Sequence, residues 1–252
     1  MASNPPSNCC TVGFKHEGQP SGSSAKIGNI DAYVSEPTGN TIHKDTAILI
    51  LSDIIGIWQN SQLIADQLAA NGYYTLLPDL FNGDPVELNR PDDFNLMAWL
   101  AKGTNGDNPH TVEAVDVIVE KSIAWLKEKG YKKIGAVGYC FGGKYVARFM
   151  SKGKGIDVGY VAHPSFVEED ELRAIEGPLS IVAAETDSIF PTEKRHKSEA
   201  ILIETKQPYQ INLFSGVMHG FSVRGDMSKK IERFAKEQAF YQAVQWLDQW
   251  LF

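Results

Sequence analysis

The sequence contains little cysteine and no long apolar run. Its three cysteines in 252 residues are too few for a disulfide framework. Two of them, Cys9 and Cys10, are adjacent near a polar terminus, which is typical of a reducing compartment and predicts a cytoplasmic protein. No stretch of about 18 apolar residues occurs, so no membrane-spanning helix is expected. The first ten residues also lack the apolar core of a signal peptide.

Positive charge is scarce as well. The chain has 24 lysines and arginines against 31 aspartates and glutamates, a formal net charge of -7. This balance offers no basic surface for a nucleic acid or an anionic membrane, and we expect neither as a partner. No Gly-x-Gly-x-x-Gly motif opens the first strand and helix, which argues against a dinucleotide cofactor. Cys9 and Cys10 have no second ligand pair at metal-site spacing, so we predict no metal and no other cofactor.

Strand-like and helix-like segments alternate along most of the chain. A length of 252 residues with 43% hydrophobic residues fits one α/β domain over residues 1–252, in which 1–25 form an irregular lead-in. The alternation predicts a mostly parallel, doubly wound sheet with helices on both faces. The predicted strands are 26–34 (a strand or hairpin), 46–51, 73–77, 134–137, 158–162, 179–184 and 209–214, and the clearest helices are 61–70, 112–127 and 231–251.

Residues 82–110 depart from this alternation. Polar turns at 82–85 and 90–93 flank the apolar stretch 94–100, which predicts a short helix with loops over the carboxyl edge of the sheet. Such an insertion either shapes access to a site or is a plain surface excursion.

The pattern that best indicates a catalytic function is Ala-Val-Gly-Tyr-Cys-Phe-Gly-Gly at residues 136–143. Cys140 stands where a predicted strand meets a helical pattern, with Gly138 and Gly142 two residues away on either side. This is typical of a nucleophile elbow, in which a strained turn projects the nucleophile and glycines permit close packing. The alternative for so short a pattern is a packed, unreactive thiol.

An acid and a histidine follow at later strand ends. Asp187 comes just after the predicted strand 179–184, and His219 comes soon after the strand 209–214. Nucleophile, acid and histidine in this order are the arrangement of α/β-hydrolases. Cys140, Asp187 and His219 are therefore the predicted catalytic triad.

Together these residues resemble the dienelactone hydrolase family of α/β-hydrolases. The resemblance covers the chain from about residue 35, and residues 9–10 and 16–18 further resemble fungal members. Its motifs lie at 52–56 (Ser-Asp-Ile-Ile-Gly), 77–81 (Leu-Pro-Asp-Leu-Phe), 138–143, 185–187 and 219–221.

The resemblance implies an α/β-hydrolase fold and an enzyme that cleaves an ester or lactone. It assigns Cys140 as nucleophile, His219 as general base and acid, and Asp187 as the group that orients the imidazole. It also implies an oxyanion hole made by the backbone amides of Ile54 and Phe141. The reaction would pass through a thioester on Cys140.

The resemblance also points to residues around the triad. Asp53 matches the position of a family glutamate that contacts the resting thiol, and the alternative is a capping or turn aspartate after a strand. The family's substrate is anionic and held by arginines, for which Arg224 and Arg90 are candidates, Arg90 being equally well a solvated surface residue.

Four further side chains lie near the predicted site in sequence. Trp58, Tyr145 and Phe221 either line an apolar pocket or pack in the core. His163 follows another strand end, and we favour contact with substrate or with the triad over a role as rival base.

Two alternatives to a lactonase stay open at this point. One is a carboxylesterase or thioesterase with the same triad, and the other is a binding or redox-sensing protein that uses Cys140 as an oxidisable thiol. The expected partner is a small-molecule ester or lactone, for which the resemblance implies an anion. Both a monomer and a homodimer fit the sequence.

Overall fold

The computed structural model describes residues 1–38, 41–91 and 93–252. Within that part of the chain, one sheet holds eight strands, and eight α-helices surround it. The strands are β1 Ser23–Ile27, β2 Ile30–Ser35, β3 Thr46–Leu51, β4 Tyr74–Pro78, β5 Lys133–Tyr139, β6 Val158–Ala162, β7 Leu179–Thr186 and β8 Tyr209–Met218. The helices are α1 Gln59–Ala70, α2 Leu96–Lys102, α3 Val112–Glu128, α4 Phe141–Phe149, α5 Glu169–Arg173, α6 Thr192–Thr205, α7 Phe221–Arg224 and α8 Lys230–Trp250.

The sheet is mostly parallel, as predicted. Its strand order is β1-β2-β4-β3-β5-β6-β7-β8, and all pairs from β4 to β8 are parallel, whereas β1 and β2 form an antiparallel edge. The ambiguous segment 26–34 is a hairpin joining β1 to β2, and β8 runs four residues beyond its predicted end. The sequence understated β8 because Ser215 and Gly216 interrupt its apolar pattern before Val217 and Met218.

Helices cover both faces of the sheet, which confirms the doubly wound α/β class. The central strands β3, β5 and β6 are buried along nearly their whole length, as continuous apolar runs require. Apolar residues of α1 and α8 pack on one face, and those of α3 and α4 pack on the other. With parallel strands, this arrangement brings the carboxyl ends of β3, β5, β6, β7 and β8 to one edge.

Residues 1–18, called the N-terminal strap here, cross that edge. The strap has one short 3₁₀ helix, Asn8–Cys10, but it is tied down by backbone hydrogen bonds. The Ala2 and Asn4 amides donate to the carbonyls of Val167 and Ile189, both at 2.7 Å. Ala2, Ser3, Cys10 and Thr11 are at most 1% exposed. The irregular lead-in is therefore part of the packed structure.

The insertion 82–110 contains the predicted short helix, α2. It is anchored to the same edge, where the Val86 amide donates to the Ile54 carbonyl at 2.9 Å. The predicted turn at 90–93 includes Asp92, which lies outside the described residues. No helix in the described part of the chain is long and apolar enough to cross a membrane.

Candidate active site

The turn between β5 and α4 holds Cys140 in a conformation that few residues adopt. Its φ of 49° and ψ of -108° lie outside the usual helix and strand regions. A Cβ on Gly142 would stand 2.0 Å from the Leu51 carbonyl oxygen, and one on Gly138 would stand 2.6 Å from Val146. Both glycines are thus required by close backbone approach, as the elbow pattern predicted.

Asp187 and His219 come together at the ends of β7 and β8. The His219 Nδ1 atom lies 2.9 Å from the Asp187 Oδ2 atom, and both side chains are almost fully buried. The other carboxylate oxygen accepts hydrogen bonds from the amides of Ile189 and Phe190, at 2.8 and 2.9 Å. These bonds fix the carboxylate, which in turn fixes the imidazole. The Nε2 atom of His219 then faces the sulfur atoms of Cys140 and Cys10.

No sequence pattern predicted that Cys10 lies beside Cys140 and His219. Its Sγ atom lies 3.3 Å from the Cys140 Sγ atom and 3.7 Å from the His219 Nε2 atom. Cys10 and Cys140 are both completely buried. The two residues are 130 positions apart, and only the path of the N-terminal strap brings them together. The adjacent Cys9-Cys10 pair was visible in the sequence, but it carried no signal of this position.

The charges of the centre favour an ionised nucleophile. Burial opposes ionisation of Cys140, but the Cys10 thiol and the charge of His219 outweigh it and hold the pKa of Cys140 well below its usual value. Burial alone would lower the pKa of His219, whereas the Cys140 thiolate and Asp187 raise it to about 10. Near neutral pH these directions correspond to a thiolate beside an imidazolium.

The backbone amides of Phe141 and Ile54 are the predicted oxyanion hole. Phe141 is the first residue of α4, directly after Cys140, and Ile54 follows the end of β3. Within the described residues, neither amide donates a hydrogen bond to another group of the protein. A pair of amides left without a partner near a nucleophile is the arrangement that can receive a developing oxyanion.

Asp53 and Arg224 form a buried ion pair. The Arg224 Nη1 atom donates to the Asp53 Oδ2 atom, and both side chains are 1% exposed. The remaining guanidinium nitrogens face the strap: Nε contacts the Val12 carbonyl at 3.3 Å and Nη2 the Cys9 carbonyl at 3.5 Å. Both residues thus lie at the predicted site, but Arg224 already has partners for its donors.

Arg90 is not a solvated surface residue, so that interpretation was wrong. Its side chain packs over the Phe94 ring at 4.7 Å and donates to the Asn8 Oδ1 atom at 2.9 Å. The residue is only 8% exposed because the strap lies over it. In this structure Arg90 ties the insertion to the strap.

Two cavities flank the centre, and Cys140 lines neither. The strap-side cavity, of about 410 Å³, is lined by Cys9, His219, Phe221 and Arg224 among others. The helix-side cavity, of about 420 Å³, is mainly apolar and includes Phe141 and Tyr145. Phe221 and Tyr145 therefore each line a cavity. Trp58 lines neither, and it packs beside the core at the start of α1.

His163 lies beside the triad without a hydrogen bond to it. Its ring centroid is 4.9 Å from that of His219, and its Nε2 atom lies 2.6 Å from the Ser222 hydroxyl. Burial, with the charges of His219 and Arg224, lowers the pKa of His163 well below its usual value. We therefore interpret His163 as a neutral packing partner of His219.

The thiols and the imidazole also have the spacing of metal ligands. The ligand atoms of Cys10, Cys140 and His219 all lie within 4.8 Å of one another. This cluster was invisible in the sequence because its members come from three distant segments. Sulfur and imidazole nitrogen are donors that Zn²⁺ prefers, so the group could hold such an ion.

Comparison with known proteins agrees with the α/β-hydrolase arrangement of the elbow and the acid–histidine pair. The family model described as "Dienelactone hydrolase family" matches residues 30–251. "Hydrolase pyvD" of Aspergillus violaceofuscus is 51% identical over 253 residues, covering 100% of this chain and 99% of the relative. "Dienlactone hydrolase 1" of Gibberella moniliformis is 34% identical, covering 100% and 96%. A solved dienelactone hydrolase-like promiscuous phosphotriesterase from metagenomic libraries has a TM-score of 0.68 at 14% identity, covering 91% and 97%, and so shares the fold.

Proposed function

The chain belongs to the dienelactone hydrolase family, and on that premise we propose that it hydrolyses its substrate through a thioester on Cys140. The enzyme is a hydrolase of small-molecule esters or lactones. The observation that supports the thioester mechanism is that an elbow cysteine with a φ of 49° lies beside a histidine held 2.9 Å from Asp187. Cys140, His219 and Asp187 then act as nucleophile, acid–base and orienting group.

Acylation begins with the thiolate. The sulfur of Cys140 attacks the carbonyl carbon, and the carbonyl oxygen becomes an oxyanion that accepts from the amides of Ile54 and Phe141. Collapse of this intermediate breaks the carbon–oxygen bond of the ester. The leaving alkoxide takes the proton of the His219 imidazolium, and a thioester remains on Cys140.

Deacylation needs His219 in the opposite state. The largest effect raising the pKa of His219 is the charge of the Cys140 thiolate, and that charge is absent once sulfur carries an acyl group. The imidazole therefore becomes available as a base near neutral pH. It takes a proton from water, the resulting hydroxide attacks the thioester, and the thiolate leaves as the acid forms.

Access to Cys140 requires movement of the chain that covers it. Cys10 lies directly on the nucleophile, and the strap residues Cys9 and Val12 line the adjoining cavity. We infer that substrate displaces this part of the strap and occupies the strap-side cavity next to His219.

The charge preference of the substrate depends on Arg224. An anionic group would have to replace the Val12 and Cys9 carbonyls as acceptors of the guanidinium, because Asp53 already holds one nitrogen. We propose that this exchange accompanies strap displacement, which would favour anionic lactones. The cytoplasmic location and the choice between monomer and homodimer stay predictions.

A substrate panel tests the proposal. Wild type, Cys140→Ala and His219→Gln are assayed with a dienelactone, p-nitrophenyl acetate and an acyl thioester, and acyl adducts are located by peptide mass spectrometry. We expect dienelactone turnover and an acyl group on the peptide containing Cys140, both lost in Cys140→Ala.

The variants separate the roles. Because His219 assists water attack, His219→Gln should slow release of the acyl group. The acyl group should still be found on Cys140. Turnover of only the neutral ester or the thioester would move the assignment to the alternative hydrolases. Turnover that survives in Cys140→Ala would contradict the thioester mechanism.

A further inference from the structure

Besides its effect on the nucleophile, the contact between Cys10 and Cys140 brings two thiols within reach of each other. Their sulfur atoms lie 3.3 Å apart, and both residues are fully buried. We propose that this pair is a site of oxidative modification, at which a hydroperoxide converts Cys10 and Cys140 into a disulfide. The inference goes beyond hydrolysis and rests on the proposed function only in taking Cys140 as a reactive thiolate.

Only a small movement of the two sulfur atoms is needed to form the disulfide. A disulfide bond is about 2.05 Å long, so the sulfur atoms must approach by roughly 1.3 Å. Cys10 lies in a single turn of 3₁₀ helix on the strap, which is a more adaptable element than the sheet edge that carries Cys140. We expect the adjustment to occur on the Cys10 side.

The two sulfurs differ in their placement. Cys140 lies at the elbow before α4, whereas Cys10 lies on the strap and contacts it. The pair therefore consists of the nucleophilic sulfur of the elbow, which can attack an oxidant, and a neighbouring thiol that can react with the oxidised sulfur.

The reaction balances with a hydroperoxide as the only oxidant. The Cys140 thiolate attacks one peroxide oxygen, breaking the O–O bond, and gives a sulfenic acid and hydroxide or an alkoxide. The Cys10 sulfur then displaces the sulfenic oxygen. That oxygen leaves as water with the thiol proton, and the sulfur–sulfur bond forms.

Reduction proceeds from the strap-side cavity. Cys9 lines this cavity and the neighbouring Cys10 is completely buried, so an external thiolate reaches the Cys10 sulfur from there once the strap moves. Its attack on Cys10 breaks the sulfur–sulfur bond and releases Cys140 as a thiolate beside His219. A second external thiolate then frees Cys10 and becomes oxidised with the first.

Cys9 is the natural rival partner, but its surroundings differ. Its sulfur lies 3.2 Å from the Ser7 hydroxyl, and the residue is partly exposed, unlike the buried Cys10 and Cys140. Within the described residues, the sulfur atom that the Cys140 sulfur contacts is that of Cys10.

Peptide mapping tests the inference in the full-length protein. Purified wild type is treated with hydrogen peroxide, remaining thiols are alkylated, and peptides are analysed without reduction. We expect a cross-linked pair of peptides joined through Cys10 and Cys140, lighter by two hydrogens than their sum, that disappears after dithiothreitol. The same link should form in Cys9→Ser, which keeps both partners.

Cys10→Ser and Cys10→Ala are the discriminating variants, with thermal unfolding as a check on folding. Without a partner thiol, Cys140 should proceed to sulfinic acid, a product that dithiothreitol does not reverse. A link through Cys9, or sulfinic acid on Cys140 in peroxide-treated wild type, would overturn the inference. Because the link is read by mass, it can form even if every ester assay fails, which separates this inference from the proposed function.

Discussion

Removal of either member of the buried pair Asp53–Arg224 should strongly destabilise the enzyme. Both side chains are 1% exposed, so loss of one leaves the other as an uncompensated buried charge. Such a loss costs about 3–5 kcal/mol, which corresponds to a fall in Tm of roughly 6–20 °C for a chain near this size. Arg224→Met should cost about 1 kcal/mol more than Asp53→Asn, because it also removes hydrogen bonds to the strap.

A double-mutant cycle measured by urea unfolding checks this reasoning. We expect Asp53→Asn/Arg224→Met to be less destabilised than the sum of the single variants by about 2 kcal/mol. The control is the exposed pair Lys132–Asp45, which has a 2.9 Å contact and side chains 74% and 63% exposed. Its coupling should be below about 1 kcal/mol. Additive effects at the buried pair, or equal coupling at both pairs, would refute the argument from burial.

Three other variants test the elbow, the triad and the strap. Gly142→Ala places a Cβ 2.0 Å from a backbone carbonyl oxygen and should lower stability by at least about 1–3 kcal/mol, measured by urea unfolding. Because Asp187 helps to raise the pKa of His219 to about 10, Asp187→Asn should shift the alkaline limb of kcat/KM, where the imidazolium is lost, to lower pH. Arg90→Ala frees the strap from the insertion and should speed alkylation of Cys140 by iodoacetamide, and an unchanged rate would contradict that tether.

Much of the fold could be predicted because its signals are local. Continuous apolar runs marked the central strands, and helical spacing of apolar residues marked α3 and α8. The elements bounded by mixed residues were harder. The hairpin of β1 and β2 and the true end of β8 depend on pairing with neighbouring strands, which a local pattern does not contain.

The candidate site divides in the same way. Cys140, Asp187 and His219 each follow a strand of a parallel sheet, so their order along the chain already predicted that they meet at one edge. The need for Gly138 and Gly142 could likewise be predicted, because only glycine tolerates the close backbone approach found there.

The sequence by itself thus determined the class of fold, the elbow and the order of the acid and the histidine. Tertiary structure alone decided that Cys10 contacts the nucleophile, that Arg224 pairs with Asp53 and that Arg90 holds the strap. The physical reason is that these contacts join segments far apart in the chain. They depend on where an irregular segment packs, and such a segment carries no periodic pattern from which its path could be predicted.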